Sequence, residues 1–531
     1  MKIRYNRAMT RWLLLAPALT LACQPATPAG TEVAPHASAA RSDAPARPNI
    51  LFLAVDDLRP ELGCYGAGHA VTPALDRLAA EGTLFERAYC QSAVCNPSRA
   101  SLMTGLRPGT LGVLDLRTEL RKVQPEVLTL PQHFRQHGYF TASIGKIYHN
   151  IFPDEPSWDE RAYLDGFPFD PDAVYLGEEG QAIQQQRIAA RAEAGRPFRP
   201  DRFGHIYVKA QATEAPEVED SAYYDGAQTD WALDKLELLA ESEQPWFLAV
   251  GYYRPHLPFN APKKYWDLYD PAAIPLAPDP ALPRDAPPMA MNNLRELRGY
   301  SDFTRYGFPA DSEISEAEQR RLKHGYLASV SYVDAQIGRL LDALEKLELA
   351  TDTIVVVWGD HGWKLGEYRS WGKMTNCEID TRVPLIVRVP GAGAGQRVPA
   401  LVEFVDLFPT LCELSGLPAP PQLEGVSLRP QLEDPSDPGK GFAMSEYLRS
   451  GIWIGPTGEA HHGRALRTDR YRYVEWTRVA DGSLAGVELY DHQSDPAESV
   501  NLAGAAEYAD ARASLRAQFG ELWGSDSAES R

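Results

Sequence analysis

Cys95 opens the pentapeptide Cys95-Asn96-Pro97-Ser98-Arg99, which places a thiol, a proline and a guanidinium together. The spacing predicts a short helix, because Pro97 fits its first helical position and Gly105 supplies a stop. A helix N-terminus presents free N–H groups and partial positive charge, so an anion docked beside Cys95 would be stabilised. Arg99, one turn further on, could neutralise it directly. A cysteine here is also what a buried structural thiol would look like, and the surrounding residues decide between the two readings.

Those residues are of metal-ligand and anion-binding types. Asp56-Asp57 and Asp360-His361 offer three carboxylates and an imidazole, a set suited to a hard divalent cation with one non-oxygen ligand. An Asp-Asp pair alone is more often a turn or helix cap. Two acidic pairs on separate segments, with a candidate nucleophile between them in sequence, favour a ligand role. Lys146 and His149 lie in Gly145-Lys146-Ile147-Tyr148-His149, His256 in the proline-stiffened Arg254-Pro255-His256-Leu257-Pro258, and Lys373 in Trp371-Gly372-Lys373. Each alone reads as a surface charge; together they suit an anionic substrate.

The elements that must position these groups are apolar runs resembling buried parallel strands: Ile50 to Val55, Tyr139 to Ile144, Trp246 to Gly251, Thr353 to Trp358 and Val383 to Val389. Four of them exit directly onto Asp56-Asp57, Lys146 and His149, Arg254 and His256, and Asp360-His361. Open α/β sheets bind ligands outside the carboxyl ends of their strands, so one polar site along one sheet edge is expected. The clearest helix begins at Ser315, which forms a capping box with Glu318, and runs through Leu322, Tyr326, Val330, Val333, Ile337, Leu341 and Leu344. The fold class is α/β: a large, mostly parallel sheet sandwiched by helices, with a smaller C-terminal α+β subdomain containing an antiparallel sheet. In that subdomain Tyr471, Tyr473 and Glu475 alternate with Arg472, Val474 and Trp476, as in a half-exposed strand. The stretch from Pro153 to Gln244, with a helical patch from Gln181 to Ala194, reads as inserted loops near the site. The proline-rich Pro275 to Phe308 reads as a surface wrap.

A formal net charge of -19 argues against nucleic-acid binding and requires any anion site to be a local cationic pocket. Lys2, Arg4, Arg7 and Arg11 precede an apolar run from Trp12 to Ala22, too short for a comfortable membrane span and typical of a secretory signal. Leu19-Thr20-Leu21-Ala22-Cys23-Gln24 resembles a lipoprotein signal cleaved before a lipidated Cys23, with ordinary cleavage nearby as the alternative. Gln24 in place of aspartate points to an outer membrane. Residues 24–47 read as a flexible tether, 48–434 as the catalytic domain and 435–531 as the C-terminal subdomain. Export to a bacterial periplasm or outer membrane is expected, with the membrane touched only through the lipid. Cys64, Cys90, Cys377 and Cys412 show no disulfide framework, although one bridge among them is compatible with export.

From Pro48 to Gly391 the chain resembles the type I sulfatases of the alkaline phosphatase superfamily, most closely the iduronate 2-sulfatase branch. The likeness rests on Asp56-Asp57, the Cys95 pentapeptide with Leu102-Met103-Thr104-Gly105, Gly145 to His149, Phe247 to His256, Ala328-Ser329-Val330-Ser331-Tyr332, and Gly359-Asp360-His361-Gly362-Trp363 through Lys373. A C-terminal Glu488-Leu489-Tyr490-Asp491 also fits. The resemblance implies conversion of Cys95 to formylglycine by a formylglycine-generating enzyme. It implies one Ca2+, with Mg2+ as the alternative, on Asp56, Asp57, Asp360, His361 and residue 95. Arg99, Lys146, His149, His256 and Lys373 would surround the sulfate of a sulfated saccharide, with His149 as base and His256 or Lys373 protonating the leaving oxygen. Arg254 and Arg369 depart from the branch and bear on sugar specificity. Phosphonate monoester or phosphodiester hydrolysis is the alternative within the same chemistry. A lipoprotein that only binds sulfated glycans is the alternative if Cys95 stays unconverted.

Overall fold

The computed structural model describes residues 3–5 and 47–524, apart from 150–151, 165–173, 201–205, 279, 310, 452–453 and 455–456. The signal and tether readings, including Cys23, fall outside the described residues except for 3–5 and 47.

Eight strands build the central sheet: β1 (Asn49–Val55), β2 (Thr83–Tyr89), β3 (Phe140–Gly145), β4 (Glu160–Leu164), β5 (Trp246–Tyr252), β6 (Thr353–Gly359), β7 (Arg382–Arg388) and β8 (Gln396–Glu403). Their order is β4-β3-β5-β1-β6-β7-β2-β8, and Ile3–Tyr5 adds a short antiparallel strand outside β4. The pairs β4–β3, β3–β5, β5–β1, β1–β6 and β2–β8 are parallel. Strand β7 is antiparallel to both neighbours, which corrects the parallel reading of Val383 to Val389. An apolar run buried on both faces carries no mark of strand direction.

Alternation along β1 shows the sandwich. Leu51, Leu53 and Val55 join one buried cluster with Leu75 and Leu78 of α1 (Pro73–Glu81), Trp231 and Leu236 of α5 (Tyr224–Ala240), and Leu322 to Leu344 of α6 (Glu316–Lys346). Ile50, Phe52 and Ala54 join the other, with Ala100 and Met103 of α2 (Cys95–Thr104), Phe134 of α3 (Leu130–Gln136) and Phe408 of α7 (Leu407–Leu414). Period-2 side chains on a sheet covered on both faces produce this split. Ser315 caps α6 by accepting from the Glu318 N–H, and the Glu318 carboxylate returns to the Ser315 hydroxyl.

The Pro153 to Gln244 stretch is more than loops. It contributes β4, α4 (Glu178–Glu193) and the core helix α5. Strands β9 (Phe442–Arg449), β10 (His461–Thr468), β11 (Tyr471–Arg478) and β12 (Leu484–Asp491) form a separate antiparallel sheet. The middle of β11 is buried on both faces, not half-exposed. Val474 and Trp476 pack with Val94 and Met374, while Tyr473 packs with Leu515 and Phe519 of α8 (Ala509–Trp523). The second sheet therefore backs the residues adjoining Cys95 and Lys373. Among the described residues Cys64, Cys90, Cys95, Cys377 and Cys412 are free thiols.

Candidate functional site

The strand exits converge because the sheet ladder continues one residue beyond each strand. Asp56 N–H donates to Tyr252 O, Asp360 N–H to Val55 O, and Lys146 N–H to Gly251 O. Gly251 is required for this approach, since a Cβ there would meet the Lys146 backbone at 2.2 Å. Asp57 turns away with φ 60, a left-handed conformation that aspartate tolerates better than bulkier residues. Its carbonyl accepts from Tyr326 on α6 at 2.9 Å, and its N–H donates to Asp360 Oδ1 at 3.0 Å.

Cys95 is the first residue of α2, so Pro97 is the third residue, still within the first turn, where an N–H has no intrahelical partner. Gly105 ends the helix at φ 67. The Cys95 Sγ lies 3.2 Å from His361 Nε2, 3.5 Å from Asp56 Oδ1, 3.4 Å from Lys373 Nζ and 3.5 Å from Lys146 Nζ. Lys146 pairs with Asp56, Lys373 pairs with Asp57 at 2.5 Å, and Arg99 Nε pairs with Asp360 at 2.8 Å. Arg99 also reaches Asp56 at 3.4 Å and the Lys146 carbonyl. Burial and the Asp56 charge push the Cys95 thiol far above its ordinary range, so the unmodified thiol is a poor nucleophile.

Three carboxylates thus face three cations, all of them buried. Burial would raise Asp56, but Lys146 together with His256, Lys373 and Arg99 holds its carboxyl well below the usual range. Asp57 is pushed up to about 7 by burial, against the pull of Lys373 and with the Asp56 charge adding to the rise. His361 is kept neutral by burial, and its Nδ1–H donates to Gly362 O at 3.1 Å. Its Nε2 lone pair consequently faces Asp57 Oδ1 and Asp360 Oδ1, each at 3.5 Å. Asp57 Oδ2 is buried without a hydrogen-bond partner. One ligand atom each from Asp56, Cys95, Asp360 and His361 lies within 4.8 Å of the others. Converging acceptors with an orphaned carboxylate oxygen fit a hard divalent cation.

His149 stands in the field of Lys146, Asp56, Arg99 and Lys373, with Nδ1 buried and unpartnered. Burial, then Lys146, holds its pKa far below the ordinary value, so it is a neutral imidazole. His256 is held from behind. Asp225 on α5 accepts the Tyr253 and Arg254 N–H groups, both at 2.9 Å, and the Arg254 guanidinium binds the Asn260 and His256 carbonyls. Arg254 braces the loop among these backbone oxygens. Arg369 is exposed at φ 50, in a loop where Tyr368 reaches Ala497 O at 2.8 Å beside the second sheet.

Sequence reasoning missed Glu296. The Pro275 to Phe308 segment, expected only to wrap the surface, carries Glu296 to within 2.9 Å of His256 Nε2 and 3.9 Å of Lys373 Nζ. No periodicity or motif in that segment signals this. A second cluster, Glu378, His492 and Glu498, has ligand-like spacing, but Arg467 and Arg472 already occupy its carboxylates.

A mostly parallel sheet between two helical layers, with a buried cysteine, carboxylates and cations gathered at its carboxyl edge, suits the hydrolysis of anionic esters. A family model described as Sulfatase matches residues 48–417, and one described as N-sulphoglucosamine sulphohydrolase, C-terminal, matches residues 366–524. The chain belongs to the sulfatase family and is a sulfate ester hydrolase. It is similar to the iduronate 2-sulfatase of Mus musculus, 34% identical over 529 residues that cover 88% of this chain and 93% of that protein. A solved complex of a protein with its substrate D-glucosamine-2-N,6-O-disulfate shares the fold at TM-score 0.71 and 24% identity, covering 91% of this chain and 100% of the other. The phosphonate monoester hydrolase of Agrobacterium radiobacter aligns at TM-score 0.68 and 26% identity, covering 90% and 95%.

Proposed function

We propose that this chain is an exported sulfatase that removes sulfate from 2-O-sulfated uronic acid residues of a polysaccharide, using a formylglycine made from Cys95. The observation that carries the reading is the convergence of Lys146, Lys373 and His361 on Cys95 Sγ at 3.2–3.5 Å, above three buried carboxylates. Likeness to iduronate 2-sulfatase supports the sugar. Arg295, exposed beside Glu296 at a cleft lined by Asn292, Trp371 and Lys373, suits a substrate carrying a second anion. The reading includes the signal over residues 1–23, a lipid on Cys23, the tether over 24–47, and division at residue 434.

Asp56, Asp57, Asp360, His361 and residue 95 would hold one calcium, which supplies Lewis-acid polarisation of the sulfate oxygens. Hydration of a formylglycine gives two hydroxyls, one to attack sulfur and one whose deprotonation releases sulfate. Arg99 compensates charge at residue 95, and Lys146 holds a sulfate oxygen. Neutral His149 takes the proton of the second hydroxyl. His256 or Lys373 gives a proton to the departing sugar oxygen. With three carboxylates already balanced by Arg99, Lys146 and Lys373, a bound divalent ion leaves the site cationic and matched to a sulfate ester.

Desulfation of defined glycosaminoglycan and algal oligosaccharides, run beside phosphonate and phosphate esters, tests the reading. Release of sulfate from a 2-sulfated uronate is expected; faster cleavage of phosphonate monoesters would favour the second reading, which the Agrobacterium structure supports. Mass spectrometry of the natively produced Cys95 peptide should show the aldehyde mass, and an intact thiol would point to a glycan-binding protein.

Metal affinity should depend on pH. Asp57 titrates at about 7 without metal and must be ionised to bind it. Calcium affinity is therefore expected to fall by on the order of tenfold per pH unit below about 7, and to level off above it. Calorimetric titration at pH 5.5 and 8 in buffers of different ionisation heat measures this; equal affinities without proton release would contradict it.

A further inference from the structure

Two consecutive residues of an extended chain point to opposite faces, yet Asp56 and Asp57 serve one site. One carboxylate oxygen from each, with a ring nitrogen of His256, lies within 4.8 Å of the others. The chain achieves this by leaving the extended conformation at Asp57, whose φ of 60 lies in the left-handed region. A single aspartate held there costs energy and needs support from its surroundings. The Asp57 side chain makes no hydrogen bond to its own turn: Oδ1 pairs with Lys373 at 2.5 Å, and Oδ2 has no hydrogen-bond partner.

Two groups outside the turn hold it. Asp360 Oδ1 accepts the Asp57 N–H at 3.0 Å, and the Tyr326 hydroxyl clasps the other side. That hydroxyl donates to Asp57 O at 2.9 Å and accepts the Arg59 N–H at 3.0 Å, so its one proton and one lone pair close the bend at two points. Tyr326 is fully buried on α6, with its ring edge-on to Phe259 at 5.6 Å. The preceding Gly325 lets the helix come this close, because a Cβ there would meet Trp266 at 2.8 Å and Phe259 at 2.9 Å. Leu322, Val330 and Val333 of the same helix pack with Leu51, Leu53 and Val55 of β1, the strand that leads into Asp56. The hydroxyl is thereby anchored to the sheet that carries the site.

We infer that Tyr326 is a positioning residue whose hydroxyl holds Asp57 in the left-handed turn and so keeps the Asp57 carboxylate in the metal site beside Asp56. This role rests on the calcium site proposed above and deepens it, naming what keeps the second aspartate turned inward. The hydroxyl bonds main-chain atoms and acts through Asp57. Its removal leaves Asp57 O and the Arg59 N–H unpaired, which favours relaxation of the bend toward an extended chain and swings the carboxylate away from Asp56.

Calorimetric titration of the matured, metal-free enzyme with calcium at pH 8 tests the role, with Tyr332→Phe as the matched control. Tyr332 lies on the same helix and is equally buried; its hydroxyl donates to Asp220 O at 2.9 Å and accepts the Gly226 N–H at 2.6 Å, so it touches no segment that carries a metal ligand. Tyr326→Phe is expected to weaken calcium binding by about 10- to 100-fold, the usual effect of removing a group that orients a ligand, and Tyr332→Phe by less than about twofold. In an Asp57→Asn background, adding Tyr326→Phe should weaken binding by less than about threefold more, because the charged ligand it orients is already gone. Unchanged affinity in Tyr326→Phe, equal weakening in both Phe variants, or additive loss in the double variant would mark Tyr326 as a packing residue and overturn the assignment. If Tyr326→Phe does not fold, Gly325→Ala, which must shift the helix against Phe259 and Trp266, takes its place. Binding about threefold weaker or more is then expected, and unchanged affinity overturns the assignment. Wild-type enzyme that takes up no calcium would defeat the metal reading and this role together, whereas calcium bound equally by wild type and Tyr326→Phe defeats this role alone.

Discussion

Cys95→Ser is expected to leave a folded protein whose steady-state hydrolysis is reduced by roughly four orders of magnitude or more. Serine Oγ can occupy the place of Sγ near Lys146, Lys373 and His361, so the local packing and charge balance survive. What serine lacks is a second hydroxyl. An attack on sulfur would leave a sulfate ester on residue 95 with no neighbouring O–H for His149 to deprotonate. Rapid-mixing kinetics should show at most one equivalent of alcohol released per active site, followed by arrest. The thiol itself does not substitute, since burial and Asp56 keep it protonated. Protein produced without a formylglycine-generating enzyme should be equally inactive. Multiple turnovers at the wild-type rate from the serine variant would refute the diol mechanism, whatever the substrate.

The positions bearing Asp56, Asp57, Lys146, Asp360 and His361 were legible because each directly follows a buried strand, and strand ends on a parallel sheet share an edge. The Cys95 helix was legible from Pro97 and Gly105, with a two-residue error in where Pro97 falls within it. Three sheet strands were not: Thr83–Tyr89, Glu160–Leu164 and Gln396–Glu403 mix charged and apolar residues and lack the continuous apolar run of a central strand. Thr83–Tyr89 and Gln396–Glu403 lie at one flank of the sheet, where Arg87 and Arg397 can leave the core. The direction of Arg382–Arg388 was hidden for the opposite reason, an apolar run too uniform to show an orientation. Glu296 was hidden most completely. It sits in a proline-rich segment whose path is set by contacts distant in sequence, such as Asn292 Nδ2 donating to Lys373 O at 3.0 Å and Lys209 Nζ donating to Glu296 O at 3.0 Å. Local propensity contains no information about such contacts.

Asp360→Asn is expected to cost both activity and stability, because one carboxylate serves two donors, the Asp57 N–H and Arg99. Its Oδ1 accepts the Asp57 N–H at 3.0 Å and faces the His361 lone pair, while Oδ2 accepts from Arg99 Nε at 2.8 Å. An asparagine presents one acceptor and one donor. If its oxygen serves Asp57, its NH2 opposes the Arg99 N–H; if it serves Arg99, the Asp57 N–H is left unpaired. Arg99 is fully buried, and removing one partner of a buried ion pair typically destabilises by about 3–5 kcal/mol; the retained contact to Asp56 at 3.4 Å favours the lower end. Urea unfolding of metal-free protein should show this loss with an unchanged slope. In the proposed site the same change would remove a negative ligand of the metal, so calcium affinity should weaken and kcat/KM fall by about 1,000-fold or more, only partly restored by excess calcium. Activity that recovers fully at high calcium would mean Asp360 only binds the metal, and an unchanged unfolding midpoint would mean that Asp56 alone can hold Arg99. Loss on both axes is what separates a carboxylate that organises the whole site from one that merely lines it.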